Sequence, residues 1–418
     1  MSRSVLGAAT SLDHKLPQLS SALDVEEAAR RFADLWQSTA GRSLAVTNCR
    51  RVGIRYEPQA GYVVTYHITG RTLEDKRVET IGVIEGTAPK VAHRLFGDDP
   101  RMRHLAVAAD AEAMLPRFSE LWNGAPIEDC EITPIRYKPG WSCVLRYDLH
   151  SGATTQTLFG KVFATAGDKA MATVLALHES TRGAPPALHI QPPVAYWPDL
   201  QLLLRSGIDD GHGLNVRLFD ESVPHERKRQ WMHGLGAGVA DLHGSAAAIA
   251  RRRTLEDDVR SLRDHAAHVA ELAPNLTRRY GRALGVISDF ARGTSEELVP
   301  THGALRTDQL LVDDTTLVLI DFDGFCWANA ARDIGNLLAY LDWKAIRHPE
   351  LAQFIEQAER WFLDGYAPVR PAPGEEWLAL YRAASMLKIA ARRLRDLSVD
   401  EWPLIPTLVD RATATTPA

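Results

Sequence analysis

Two stretches of this chain, IRYEPQAGYVVTYHI at 54–68 and IRYKPGWSCVLRYDL at 135–149, align without a gap. A repeat on that scale is a supersecondary unit, and the fold must contain it twice. In each copy a proline-centred turn separates two segments enriched in Val, Tyr and Ile, the composition of half-buried antiparallel strands. The alternations Val64, Tyr66, Ile68 and Val144, Arg146, Asp148 suit such strands. Each copy runs on into another apolar strand, ETIGVIEG (79–86) and TLFGKVFA (157–164). With Gly82 aligned on Gly160, Val83 stands opposite Lys161, so a strand lysine belongs to the second copy alone.

The 418 residues are 45% hydrophobic and 24% charged, enough for two or three lobes with ordinary cores. With 48 basic against 53 acidic side chains the chain has no positive field to hold a polyanion, which argues against a nucleic-acid partner. The run Arg251-Arg252-Arg253 reads as a solvated helix face. Cys49, Cys130, Cys143 and Cys326 lack metal-ligand spacing and fit core thiols of a reducing compartment. The first residues, MSRSVLGAATSLDHK, contain no apolar run of signal-peptide length, and no later run could span a bilayer. A cytoplasmic location with no membrane partner is expected.

After the repeats, DKAMATVLALHES (168–180) has helical spacing, with Met171, Val174, Leu175 and His178 on one side, and TRGAPP stops it. An apolar strand at 200–204 follows, and from about 225 the chain reads as helices. A strand-rich half therefore precedes a helical half, the pattern of an α+β protein with segregated lobes. The expected domains are an N-terminal extension holding the first repeat (1–125), a small lobe (126–207) and a helical lobe (208–418).

One segment interrupts the helices: THGALRTDQLLVDD (301–314), followed by a strand LVLI and the turn DFDG (321–324). The order of Lys161 on a strand, a helix with Glu179, an apolar strand, a helix ending VADLHG, the HGxxxxxQ loop, the hairpin into IDFD and a final ARDIGNLLAYL resembles the aminoglycoside phosphotransferase family of small-molecule kinases. The likeness spans roughly residues 130–400, and it implies a bilobal protein-kinase-like fold, ATP and Mg²⁺ as cofactors, and a small-molecule or peptide hydroxyl as acceptor. It also implies roles. Lys161 would clamp the nucleotide phosphates, with Glu179 as its acidic partner. His302 would brace the loop backbone rather than react. Gln309 and Asp321 would hold the metal through oxygen atoms, with Asp323 taking a second metal or bracing the turn. Asp333 would serve a structural role at a helix start. The turn YKPGWS (137–142) reads better as an ordinary hairpin turn than as a phosphate-covering loop.

One position breaks the pattern. Where the family places, directly after His-Gly, the aspartate that accepts the acceptor hydroxyl's proton, this chain has Ala304, and a methyl group accepts no proton. Three accounts stand open: a working kinase altered into an inactive, ligand-trapping form; a pseudokinase that binds nucleotide or a partner without turnover; or Asp308 as a substitute base, with Arg306 offering charge to the phosphoryl group. Acidic stretches at 208–211, 218–222 and 398–402 could receive a cationic acceptor. The extra repeat could bind a protein partner, form a homodimer or widen the sheet, and the last is the simplest reading.

Overall fold

The computed structural model describes residues 13–122, 127–180, 188–207, 212–247, 250–313 and 316–417. The helix stop at 181–186 and the acidic stretch at 208–211 lie outside the described residues. The chain divides into two compact units. One holds the residues up to Gly167 with Ala195–Leu204 and Arg392–Trp402; the other holds Asp168–Val194, Arg205–Ala391 and Pro403–Ala418. The α+β class is present as expected, with a β-rich N-terminal region and a helical C-terminal region.

The first unit contains two antiparallel sheets. Strands β1 (Leu44–Glu57), β2 (Gly61–Thr72), β3 (Arg77–Thr87) and β4 (Lys90–Leu95) form one meander. Strands β5 (Asp129–Lys138), β6 (Ser142–Ser151), β7 (Thr154–Phe163), β8 (Ala195–Trp197) and β9 (Leu202–Ser206) form the other, in the order β5-β6-β7-β9-β8, with Arg205 and Ser206 at the end of β9 belonging to the second unit. On β2, Val64, Tyr66 and Ile68 are buried. On β6 the inward face is Leu145, Tyr147 and Leu149, not the set Val144, Arg146, Asp148, because the gapless alignment pairs Tyr147 with Tyr66.

The duplication extends further back than the strands reveal. Asp13 accepts hydrogen bonds from the Tyr56 hydroxyl at 2.8 Å and the Gln59 N–H at 2.9 Å. Asp99 does the same for the Tyr137 hydroxyl and the Gly140 N–H, both at 2.7 Å. The Tyr66 hydroxyl donates to Ala22 O, and the Tyr147 hydroxyl donates to Ala108 O. Asp24 caps the helix Val25–Ala40, as Asp110 caps the helix Ala111–Leu121. Phe32 and Phe118 then seat on their sheets, 5.9 Å from the Tyr66 ring and 5.1 Å from the Tyr147 ring. Each fully buried aromatic contributes on the order of 2–3 kcal/mol of transfer free energy. Gly82 permits the first of these contacts, since a Cβ there would lie 2.4 Å from the Phe32 ring.

In the second unit, β10 (His212–Gly213), β12 (Leu310–Val312) and β13 (Leu317–Leu319) form a small sheet, and β11 (Val299–Thr301) pairs with β14 (Cys326–Ala328). Helices carry the rest, including His225–Gly244, Leu255–Leu272, Ala331–Arg347, Ala352–Tyr366 and Glu375–Arg395. The basic run at 251–253 is not a helix face. It is extended and bridges to β14, with the Arg253 N–H on Trp327 O and the Trp327 N–H on Arg251 O, both at 2.9 Å. Among the described residues no helix is long and apolar enough to cross a membrane.

Candidate active site

The loop after β11 is fixed by backbone geometry before any side chain acts. Gly303 has φ +79°, and a Cβ there would fall 2.1 Å from Gly324 O, so the 301–309 loop and the 321–324 turn cross at a distance only glycine allows. Gly303→Ala should therefore cost at least about 2 kcal/mol, from left-handed strain plus overpacking, read as a lowered urea midpoint.

Asp333 is the organising group. Its two carboxylate oxygens accept the backbone N–H of His302 at 2.7 Å and of Gly303 at 2.8 Å, and it is fully buried. His243, the histidine of the VADLHG helix, places Nε2 3.2 Å from the same carboxylate and Nδ1 2.9 Å from the Tyr366 hydroxyl. Burial alone would raise the Asp333 carboxyl, but the hydrogen bond from His243 and the charge and N–H of His302 hold it below its ordinary value. The carboxylate thus reaches across to the loop; the first N–H of its own helix, on Ala331, goes to Asn329 instead. Next to it, Arg332 donates to Gly303 O at 3.1 Å and pairs with buried Asp258, which Lys388 and Arg253 also meet at 2.9 Å. Asn336 donates to Leu305 O at 2.8 Å. The helix Ala331–Arg347 therefore grips the loop at four backbone groups, the amides of His302 and Gly303 and the carbonyls of Gly303 and Leu305.

His302 is buried, with Nε2 3.0 Å from Ile320 O, so that nitrogen carries the proton and the ring ties the loop to the residue before Asp321. The hairpin β12–β13 does the same through its backbone. Its register, Leu310 opposite Leu319, continues in an Ile320 N–H bond to Gln309 O at 3.0 Å, which sets Gln309 beside the start of the acidic turn. Asp321 has φ 67° and ψ 63°, a left-handed conformation rare for a residue with a Cβ, and opens the turn Phe322–Gly324. It is half-buried, while Asp323 is exposed. Arg251 donates to Asp323 O at 3.0 Å.

These groups fit a magnesium ion. The side-chain oxygen of Gln309 is buried without a hydrogen-bond partner, a costly arrangement unless something cationic or N–H-bearing takes it up. Among the described residues no three His, Cys, Asp or Glu side chains are gathered as a ready metal cage. Two carboxylates, one amide oxygen and the oxygens of a bound phosphate are the kind of donor set magnesium accepts.

The remaining positions fall as follows. Ala304 is half-buried, and its methyl faces Gly324. Arg306 stacks over the Tyr340 ring at 5.1 Å and sets Nε 3.0 Å from Asp308 Oδ1, so the exposed Asp308 carboxylate is engaged by a cation. Lys161 belongs to the first unit, on β7 opposite Val144, with Nζ 5.3 Å from the Phe163 ring centroid. Glu179 belongs to the second unit, exposed in the last turn of the helix Gly167–Ser180, where Val174 and Leu177 are buried and Leu175 faces out. In the turn 137–142 the Gly140 N–H donates to Asp99. Two contributors escaped the sequence reading. His243 was visible only as part of VADLHG, and Arg205, on the apolar strand β9, gave no signal. The Arg205 guanidinium lies 5.3 Å from the Phe322 ring centroid. Burial pulls its pKa down to about 10, against the opposing pull of Asp321 and Asp323.

The family comparison falls on this same region. The model of the phosphotransferase enzyme family, APH, matches residues 166–372. That segment belongs to the phosphotransferase enzyme family. A spectinomycin phosphotransferase in complex with ADP and spectinomycin is similar at 12% identity and TM-score 0.48, covering 73% of this chain and 98% of that one. A choline/ethanolamine kinase family protein from Mesorhizobium loti is likewise 12% identical at TM-score 0.48, covering 73% and 94%. A glucosamine kinase is 16% identical at TM-score 0.46, covering 89% and 91%. No curated protein matches the chain. The resemblance expected from the HGxxxxxQ and IDFD motifs is thus met by the match of residues 166–372 to the phosphotransferase enzyme family.

Proposed function

We propose that this chain binds a magnesium–ATP complex and is built to pass the γ-phosphate to a hydroxyl of a small molecule, with the transfer step crippled at Ala304. The reading is carried by one contrast: Gln309 keeps a buried, unpartnered oxygen for a metal, while position 304 of the same loop, which should receive the acceptor's proton, carries a methyl group. Gln309 and Asp321 would hold Mg²⁺, which would supply positive charge to offset that of the nucleotide phosphates. The chain's own groups do the rest. Asp333 and Arg332 hold the backbone of His302 and Gly303, His302 ties it to Ile320, and Gln309 and Asp321 present oxygens from adjoining strand ends. Lys161 is the group proposed to meet the phosphates, with Glu179 as its acidic partner. With Asp308 engaged by Arg306, no positioned carboxylate in the loop takes over proton acceptance. The acceptor is a hydroxyl compound of low molecular mass. The extra repeat does not widen the sheet that carries Lys161, contrary to the simplest sequence reading, because its strands β1–β4 pair among themselves as a separate sheet.

Titration calorimetry with ATP in excess Mg²⁺ tests the binding half. Heat is expected for the chain as given, with affinity reduced about tenfold or more in Gln309→Leu and Asp321→Asn, since each removes a metal oxygen. Absence of heat from the unaltered chain would overturn the proposal.

A further inference from the structure

Asp321 and Asp323 stand two residues apart on a turn whose first residue is held in a left-handed conformation, a concentration of negative charge and strain that needs an opposing cation. Mg²⁺ would supply it when bound. A second cation is built into the chain: Arg205, from the end of β9, lies 5.3 Å from the ring centroid of Phe322, the residue between the two aspartates in sequence, and their negative charge opposes the downward pull of burial on its pKa. Arginine suits this position, since its planar guanidinium can stack on an aromatic face while keeping its charge. Arg251 also holds the same turn, through the backbone carbonyl of Asp323.

We propose that Arg205 is the internal counter-cation of the acidic turn: it stabilises the metal-free arrangement of Asp321, Phe322 and Asp323, and by doing so weakens and tunes the affinity of that turn for a divalent ion. The proposal rests on the reading of Asp321 as a metal ligand. Arg205 acts on the metal through the turn and is a positioning residue. Linkage fixes the sign. A change that harms the metal-free form more than the metal-bound form must tighten metal binding by the same factor.

The test uses Mn²⁺ as the probe, followed by electron paramagnetic resonance without nucleotide, alongside melting curves with EDTA and with Mn²⁺. Arg205→Met should bind Mn²⁺ about tenfold more tightly than the unaltered chain and should melt lower in EDTA, with the deficit closing as Mn²⁺ is added. Arg205→Lys, which keeps the charge but not the planar stack, should fall between. A melting deficit that Mn²⁺ leaves unchanged, with equal Mn²⁺ affinity, would mean that Arg205 only packs, and the proposal fails. Mn²⁺ binding that is absent from the unaltered chain, or indifferent to Asp321→Asn, would instead overturn the ligand reading beneath it.

Discussion

Ala304→Asp should raise phosphate transfer by about 10²–10⁴-fold, the range a positioned general base supplies. Space favours the substitution. The Ala304 methyl faces Gly324, which has no side chain, and the loop backbone is held from behind by Asp333, Arg332 and Asn336. A new carboxylate would therefore extend from a backbone that does not have to move, adding a proton acceptor beside an intact metal half. The measurement is ADP release over a panel of small hydroxyl acceptors, with each chain assayed at equal nucleotide occupancy. Nucleotide affinity should change little, because the base touches the acceptor rather than the phosphates. Equal rates for the two chains would show that position 304 is not where the proton is taken, and would return Asp308 to consideration.

Asp333→Ala should be the most damaging substitution for stability in the second unit. It leaves the His302 and Gly303 N–H groups and the His243 ring without their acceptor in a site closed to water. Breaking such a buried pair by removing one partner costs roughly 3–5 kcal/mol, a fall of about 10 °C or more in melting temperature by calorimetry. Asp333→Asn keeps the volume and one acceptor oxygen, and should lose less. The pH dependence has a definite sign. The Asp333 carboxyl is held below its ordinary value of 3.8, so its contribution is full above that value and disappears as pH falls through the lower folded value. Asp258, which burial would raise, is held low in the same way by Lys388, Arg332 and Arg253 and loses its contribution in the same direction. Stability from these two groups should be flat on the neutral side and fall below about pH 4, with a shallower acid limb in Asp333→Asn. An acid limb identical in the two chains would remove Asp333 from the account.

The sequence by itself determined the class of fold and the motif pattern of the loop. Period-two alternation and the repeated IRY-Pro turn specify strands locally, and the spacing of His302, Gly303 and Gln309 ahead of a strand ending in Asp321 is a one-dimensional pattern. It also exposed Ala304, since a missing carboxylate is a fact of composition. Tertiary structure alone decided the rest. The inward face of β6, the helices that complete each repeat and the bridge formed by Arg251–Arg253 all depend on partners far away in the chain. Asp13 and Asp99 resemble any surface aspartate in the sequence; only folding brings each to its tyrosine and turn amide. Asp333 reads as a helix cap until its carboxylate is seen on the loop's N–H groups, and Arg205 reads as the polar end of an apolar strand until Phe322 arrives beneath it. The reason is common to all of them. Hydrogen bonds and charges between distant residues leave no periodicity in the sequence, whereas burial of one face of a strand or helix must.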